Sequence, residues 1–186
     1  IIFLAAFFLI THSATSACLA ENIRKPAYAG SFYPSSKSEI GQTIEILTSK
    51  AKETHFTAPS GKSLKALILP HAGYIYSGLT ASHASLVLSE NKFSKVILLG
   101  PDHRVGFAGC AMSDSDIYET PLGAVRLHKD AAKLSLQKEL FHSIPVSDKN
   151  EHSLEVVLPF LQTYLKKFEL VPIVVGSGDY NKVAGA

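Results

Sequence analysis

The chain has 186 residues, of which 46% are hydrophobic and 18% are charged, and its formal net charge is +2. A chain of this length and composition can bury one sizeable core, so we expect one domain rather than two. The Lys and Arg residues are scattered and form no stripe with aromatic residues, which argues against a nucleic-acid-binding surface. Nucleic acid is therefore not an expected partner.

The first 20 residues have the pattern of an export signal. Ile1 to Ile10 form an apolar run, shorter than the roughly 20 residues that span a bilayer, and small and polar residues follow it. We interpret residues 1–20 as a secretory signal peptide, which predicts a periplasmic or secreted protein. Cleavage before Cys18 would expose a cysteine for a lipid anchor to a membrane, whereas cleavage before Glu21 would release the chain. A buried N-terminal helix is the alternative, although no amphipathic pattern supports it.

Apolar periodicity predicts alternating helices and strands over residues 21–186. Helices are predicted at 35–53, 77–88, 127–140 and 152–168, and buried strands at 64–69, 95–99 and 170–175. Residues 107–127 mix β-forming and turn residues, which predicts an irregular excursion with short strands. Pro159 lies inside the last helix and is expected to kink it or to mark a new start. This order predicts an α/β fold with a mainly parallel sheet and helices on both faces.

Both ends of the chain suggest a fragment. The chain starts without an initiator Met and stops soon after the apolar run from Leu170 to Gly176. An α/β fold normally adds further helix and strand after such a run. We therefore expect residues 21–186 to form the N-terminal part of a single α/β domain.

Two of the predicted strands end in similar motifs. Pro70-His71-Ala72-Gly73-Tyr74 follows the first strand, and Gly100-Pro101-Asp102-His103 follows the second. The carboxyl ends of parallel strands share one edge of a sheet, and neighbouring strands are about 4.8 Å apart. If these two strands are neighbours, His71 and His103 lie side by side and can share a metal ion. A histidine after a strand also commonly serves as a hydrogen-bonded structural residue, and the spacing leaves both interpretations open.

A third polar group lies at the start of the last predicted helix, in the segment Asn150-Glu151-His152-Ser153-Leu154-Glu155. Glu151 and His152 are candidates for acid/base groups or for partners that orient a metal-binding imidazole. Acidic residues in the first turn of a helix also complement its dipole without any further role. Asp102 is open in the same way, because an Asp before His can bond an imidazole or simply form a turn.

At these motifs the chain resembles the Memo family, which includes the bacterial and archaeal proteins called AmmeMemoRadiSam system protein B. Six segments in order carry the resemblance over nearly all of the chain after residue 20. They are Pro26 to Pro34, Pro70 to Tyr74, Gly100 to His103, Asp116 to Gly123, Glu151 to Glu155 and Pro172 to Gly176.

The resemblance implies a three-layer fold similar to that of the LigB-type non-haem iron extradiol dioxygenases. It also implies an iron or copper site in which the histidine of the first motif, His71, and the first histidine after the Gly-Pro dipeptide, His103, are metal ligands. In the family a further ligand and an Asp-x-x-His segment come later than residue 186, so the site in this sequence is expected to be incomplete.

Three functions remain open at this point. In the first, a redox enzyme similar to the dioxygenases holds iron or copper through His71 and His103 and acts on a small-molecule substrate, with His152 and Glu151 as the catalytic acid/base groups. In the second, the protein is a non-catalytic metal-binding module that contacts a partner, such as a peptide, through the segment from Tyr28 to Tyr33. In the third, the same ligands activate water for hydrolysis.

Overall fold

The computed structural model describes residues 21–54, 56, 61–88, 92–178 and 180–185. The strands are β1 (Ile23–Arg24), β2 (Lys95–Pro101), β3 (Cys110–Met112), β4 (Ile117–Thr120), β5 (Gly123–Arg126), β6 (Phe141–Ser143) and β7 (Glu169–Val175). The helices are α1 (Lys37–Lys52), α2 (Tyr74–Ser82), α3 (Lys129–Leu134), α4 (Pro145–Asn150), α5 (Ser153–Leu165) and α6 (Tyr180–Ala184), and a 3-10 helix (His83–Leu86) follows α2. The predicted signal peptide with Cys18 lies outside the described residues. Within those ranges, no helix has both the length and the apolar character needed to cross a membrane.

The strands form two sheets. The larger sheet has the order β2-β7-β3-β6, with parallel pairing between β2 and β7 and between β3 and β6, and antiparallel pairing between β7 and β3. The smaller sheet has the order β1-β4-β5, and its first pairing is parallel. The predicted α/β fold with a mainly parallel sheet is confirmed, because parallel pairing holds the long strands β2 and β7 together.

Helices cover both faces of the larger sheet. Because side chains alternate along a strand, Leu170 and Val174 of β7 pack towards α5, where they join clusters with its leucines. Val171 and Ile173 of the same strand pack on the opposite face with Ala131 of α3. The sheet therefore forms the middle of three layers, and β7 is buried from both sides.

The predicted strand at 64–69 is wrong. These residues belong to no strand, and Ile68 is 100% exposed. The described neighbour of β2 is β7 rather than this segment. A strand needs a neighbouring backbone with which to exchange hydrogen bonds, and residues 64–69 have no such neighbour within the described ranges. An apolar run by itself does not supply one.

Each predicted helix is present with different ends, whereas α4 and α6 were not predicted. Helix α1 begins as expected after a serine, since the Ser36 hydroxyl accepts from the Glu39 N–H at 3.2 Å. Helix α3 starts two residues later than predicted, because the N–H of His128 donates to Leu170 O at 2.8 Å and its Nδ1 caps the helix that follows. It ends at Leu134 rather than at 140, and turns follow it at Leu136 and Gln137. Helix α5 continues through Pro159 without interruption.

Candidate metal centre

Three histidines from distant parts of the chain lie together at the carboxyl end of β2. His71 precedes α2, His103 follows β2, and His152 is the residue that caps the start of α5. The ring centroids are 5.2 Å apart for His71 and His103, 4.4 Å for His103 and His152, and 5.8 Å for His71 and His152. One candidate ligand nitrogen from each ring lies within 4.8 Å of the other two. The structure thus brings the two predicted ligands together and places the predicted acid/base residue His152 beside them.

The carboxylate of Glu151 forms hydrogen bonds with two of the three histidines, His103 and His152. Glu151 is 1% exposed, and its Oε2 accepts from the backbone N–H of His103 at 2.7 Å. Its Oε1 accepts from the backbone N–H groups of His152 and Ser153, both at 2.8 Å, and lies 2.9 Å from Nδ1 of His103. An ionised carboxylate can only accept, so Nδ1 of His103 carries the proton. The lone pair of His103 is then on Nε2, where a metal ion can take it.

Burial favours the neutral form of two of the three imidazoles, His71 and His152. Burial raises the pKa of Glu151, but the N–H donors of Ser153 and His103 outweigh it and hold that pKa below its ordinary value. Burial lowers the pKa of His71 and of His152, and repulsion from His103 lowers both pKa values further, while the carboxylate of Glu151 opposes these effects. Neutral imidazole is the form that binds a metal.

One atom of the cluster lacks a partner. Nδ1 of His152 is buried and makes no hydrogen bond within the described part of the chain, although Oε1 of Glu151 is 3.2 Å away in poor geometry. Leaving a buried polar atom unsatisfied costs about 1–3 kcal/mol. One nitrogen from each of the three rings lies within 4.8 Å of the other two, and zinc, copper and iron all accept imidazole ligands. The residues present therefore fit a bound metal ion.

The loop that carries His71 is fixed against the N-terminal segment. The N–H of Tyr74, the first residue of α2, donates to Phe32 O at 2.8 Å, and the hydroxyl of Ser77 donates to Ala72 O at 3.0 Å. Gly73 is the residue that precedes the helix, and it has no side chain to bond there. These contacts hold His71 in place even though the segment before it is not a strand.

An aromatic wall stands on one side of His152. The rings of Tyr28 and Phe32 lie 5.5 Å and 4.8 Å from its imidazole, and they pack against each other edge to face at 5.0 Å. The guanidinium of Arg104 lies 5.8 Å from the Tyr28 ring. The sequence did not predict this wall, because the segment from Tyr28 to Tyr33 was considered only as a possible contact with a partner. The aromatic residues of that segment were the available signal.

A second buried carboxylate holds the aromatic wall in position. Glu155, in the first turn of α5, is 1% exposed and pairs with Nη1 of Arg24 at 2.8 Å. It also accepts from the N–H groups of Ala27 and Tyr28, at 3.0 and 2.7 Å, and from the Tyr33 hydroxyl at 2.7 Å. Through Glu155 the N-terminal segment is bonded to the helix that begins at the three histidines.

The remaining sequence candidate, Asp102, forms a turn. Its Oδ2 accepts from the N–H groups of Val105 and Gly106, at 3.0 and 2.7 Å, and so shapes the loop that presents His103. That Glu151 and His152 act as acid/base groups stays a prediction. The geometry gives Glu151 a positioning role, because N–H donors occupy both of its oxygens.

Comparison with known proteins shows which family the chain belongs to. The family described as Memo-like protein matches residues 24–186. A "MEMO1 family protein" of Aquifex aeolicus is 36% identical over 159 residues, which is 85% of this chain and 57% of that protein. Another from Aeropyrum pernix is 39% identical over 168 residues, or 82% of this chain and 57% of that protein. "Protein MEMO1" of Homo sapiens is 31% identical over 164 residues, which is 86% of this chain and 53% of that protein.

The chain spans just over half the length of these curated relatives. The match nevertheless extends over almost every residue that the structure describes, and it includes all three histidines and both buried carboxylates. The chain belongs to the Memo family.

Proposed function

We propose that His71, His103 and His152 hold one iron or copper ion, and that the protein is a redox enzyme whose chemistry occurs at this ion. The observation that carries the proposal is the convergence of three imidazoles with ligand nitrogens within 4.8 Å, one of them oriented by a buried carboxylate. Three neutral ligands leave coordination positions open for a substrate, and a redox-active metal supplies electron transfer there.

The chain's own residues would prepare the site for a ligand. Glu151 would keep Nε2 of His103 directed at the ion, in the way that outer carboxylates orient metal-binding histidines generally. The rings of Tyr28 and Phe32 would exclude water from one side of His152 and offer a surface to an apolar part of a substrate. Arg104, whose guanidinium lies 5.8 Å from the Tyr28 ring, would favour a substrate that carries negative charge.

Metal binding can be tested on three histidine variants. The protein is purified without oxygen, and its affinities for Fe²⁺, Cu²⁺ and Zn²⁺ are measured by calorimetry beside His71→Ala, His103→Ala and His152→Ala. Loss of a supporting hydrogen bond costs about 10–100-fold in metal affinity, so loss of a ligand should cost at least about 100-fold. His142→Ala is the matched control, because that half-exposed histidine lies in β6 outside the cluster. Unchanged affinity in any of the three cluster variants would remove that residue from the site.

The redox role needs its own test. Protein loaded with iron or copper is mixed with a catechol as the probe substrate, and oxygen uptake is recorded beside the His103→Ala variant. Uptake that depends on His103 supports the dioxygenase-like role. A protein that binds iron or copper without uptake would instead be the metal-binding module, and a strong preference for zinc would favour hydrolysis.

We also propose that the protein is exported through residues 1–20, by its apolar run and small residues. Expression of the chain in a bacterium, followed by mass spectrometry of the periplasmic fraction, tests this. Cleavage before Glu21 is expected for a secreted chain, and cleavage before Cys18 with an added lipid mass for an anchored one. Intact chain confined to the cytoplasm would contradict both.

A further inference from the structure

Arg24 is a buried arginine whose hydrogen bonds converge on the junction between α4 and α5. Its side chain is 4% exposed, and it lies more than 120 residues before this junction in the chain. The guanidinium donates from Nε to Asp148 O at 2.7 Å and from Nη2 to Glu151 O at 2.9 Å. Its Nη1 donates to Oε2 of Glu155 at 2.8 Å. All three nitrogens therefore bond one short stretch of chain, which contains His152.

The ion pair with Glu155 does not by itself require an arginine. A lysine also carries a positive charge, but its ammonium is a point charge on a flexible stem. A guanidinium is planar and its N–H donors have fixed directions, so it can bond several acceptors at once. Two of the three acceptors of Arg24 are backbone carbonyls, which carry no net charge. These two bonds fix the position of the backbone rather than neutralise a charge.

The two carbonyls belong to the end of α4. The last four carbonyls of a helix have no partner within it, and a basic side chain commonly bonds them. Helix α4 ends at Asn150, and the next residue, Glu151, is extended, with φ −86° and ψ 133°. Its N–H donates to Ser147 O at 2.9 Å, and its carbonyl accepts from Arg24. Both backbone polar groups of Glu151 are thus held, which fixes the direction of its side chain.

The contacts of the Glu151 carboxylate depend on this direction. Its Oε2 accepts from the backbone N–H of His103 at 2.7 Å, and its Oε1 lies 2.9 Å from Nδ1 of the same residue. Oε1 also accepts from the N–H of His152 at 2.8 Å. The peptide group between Glu151 and His152 thus gives its N–H to this carboxylate and its carbonyl to Arg24. A rotation of that peptide group would break both bonds and move the carboxylate away from His103.

The guanidinium of Arg24 is itself held in place. Strand β1 pairs Arg24 with Tyr118 of β4, and the guanidinium lies 4.9 Å from the centre of the Tyr118 ring. The carboxylate of Asp148 accepts from the hydroxyls of Tyr118 and Ser113 and lies 4.0 Å from Nε of Arg24. The ring and this neighbouring set of bonds keep the guanidinium directed at the junction.

We propose that Arg24 is a positioning residue for the metal centre and that it acts through Glu151. By holding the carbonyl of Glu151, it keeps the carboxylate at Nδ1 of His103, so that the lone pair of this imidazole stays on Nε2. The inference rests on the metal site proposed above, but the position of the proton on His103 can be measured without any metal.

The first test locates that proton. Long-range ¹H–¹⁵N spectra of the metal-free 186-residue chain are recorded at about pH 8, where histidines are ordinarily neutral. The unchanged chain should show His103 with its proton on Nδ1 alone. Arg24→Lys keeps a positive charge beside Glu155 but loses the guanidinium, so it should show a mixture of the two tautomers. Arg126→Lys is the matched control, because this arginine forms an exposed ion pair with Glu21 in the same small sheet, and its spectrum of His103 should be unchanged.

The second test measures affinity for Zn²⁺, a probe without redox chemistry of its own. Loss of an outer partner of a metal-binding histidine costs about 10–100-fold in affinity, so Arg24→Lys should weaken binding about 10-fold in calorimetry. In a chain that already carries Glu151→Gln, the same replacement should weaken binding by less than about 3-fold, because the effects of residues that act through one another do not add.

Two further variants separate positioning from general stability. Phe141 is 3% exposed and belongs to the cluster on the opposite face of the larger sheet. Phe141→Leu should lower the free energy of unfolding in urea and leave the Zn²⁺ affinity within about 3-fold. If Arg24→Lys does not fold, Arg24→Gln combined with Glu155→Gln removes both charges of the pair together. That double variant also lacks the guanidinium, so the same mixture of tautomers and the same loss of affinity are expected.

Three results would overturn the proposal. The first is a folded Arg24→Lys variant with the proton of His103 on Nδ1 alone and a Zn²⁺ affinity within about 3-fold of the unchanged chain. The second is an equal loss of affinity with and without Glu151→Gln, since Arg24 would then not act through Glu151. The third is the same loss in Phe141→Leu, since any destabilisation would then loosen the site. Expected tautomers in a chain that binds no metal would refute the metal site and support the action of Arg24 on His103.

Discussion

Removing the carboxylate of Glu155 should cost a large part of the stability of the fold. Glu155→Ala removes the carboxylate 2.8 Å from Nη1 of Arg24, whose side chain is 4% exposed, and leaves the carboxylate of Asp148, 4.0 Å from Nε, as its remaining paired charge. Breaking a buried ion pair from one side costs about 3–5 kcal/mol. The Tyr33 hydroxyl and the N–H of Tyr28 lose their acceptor as well. Domains are stabilised by about 5–15 kcal/mol in total, so the variant should lose at least a fifth of its free energy of unfolding.

A neighbouring ion pair provides the matched control. Lys25 pairs with Glu119, but their side chains are 67% and 37% exposed, and such surface pairs contribute about 0–1 kcal/mol. Glu119→Ala should therefore change the free energy of unfolding by less than about 1 kcal/mol. Urea unfolding followed by circular dichroism measures both variants, since the chain has no Trp for fluorescence. Equal losses in the two variants would refute the reasoning, because burial would then make no difference.

The double replacement Arg24→Met with Glu155→Leu separates the charge from the packing. Well-packed apolar residues in place of a buried ion pair are often neutral or stabilising. The double variant should therefore be more stable than Glu155→Ala. If the double variant is as unstable as Glu155→Ala, the lost stability comes from the hydrogen bonds that Glu155 accepts from the N-terminal segment rather than from the charge of Arg24.

Three further outcomes are expected. Glu151→Gln should weaken metal binding about 10–100-fold with the fold retained, because the imidazole of His103 loses its charged acceptor; unchanged affinity in calorimetry would contradict its positioning role. Gly100→Ala should destabilise the chain by about 1–3 kcal/mol in urea, because a Cβ would come within 2.8 Å of Leu154, whereas Gly41→Ala has open space in α1 and should stabilise it by up to about 1 kcal/mol. Burial raises the pKa of Tyr118 well above its ordinary value of 10.0, so above that pH the unfolded chain releases this proton first and stability falls as pH rises; tyrosinate absorbance of the buried tyrosines should appear only with the loss of circular dichroism.

The elements that sequence patterns predicted best are those buried by their own neighbours. Strands β2 and β7 and helix α5 were predicted within a few residues, because their apolar runs and stripes face each other across one layer. The segment 64–69 has the same kind of apolar run, but its backbone has no described partner and it forms no strand. An apolar run predicts that a segment is buried. It does not predict whether a neighbouring strand is present to form backbone hydrogen bonds with that segment.

In the candidate site, too, features that depend on neighbouring sequence were predictable, whereas those that depend on residues far away in the chain were not. That His71 and His103 lie side by side was predictable because each follows an apolar run, and the structure brings them together through a different set of contacts from the expected strand pair. The roles of Glu151 and Glu155 were not predictable, because acidic residues near the start of a helix are favourable there even when exposed. Burial changes this, since a carboxylate without water must find donors. For Glu151 the donors include His103, 48 residues earlier, and for Glu155 they lie more than 120 residues earlier. Two carboxylates four positions apart thus hold the two separate parts of the chain that surround His152.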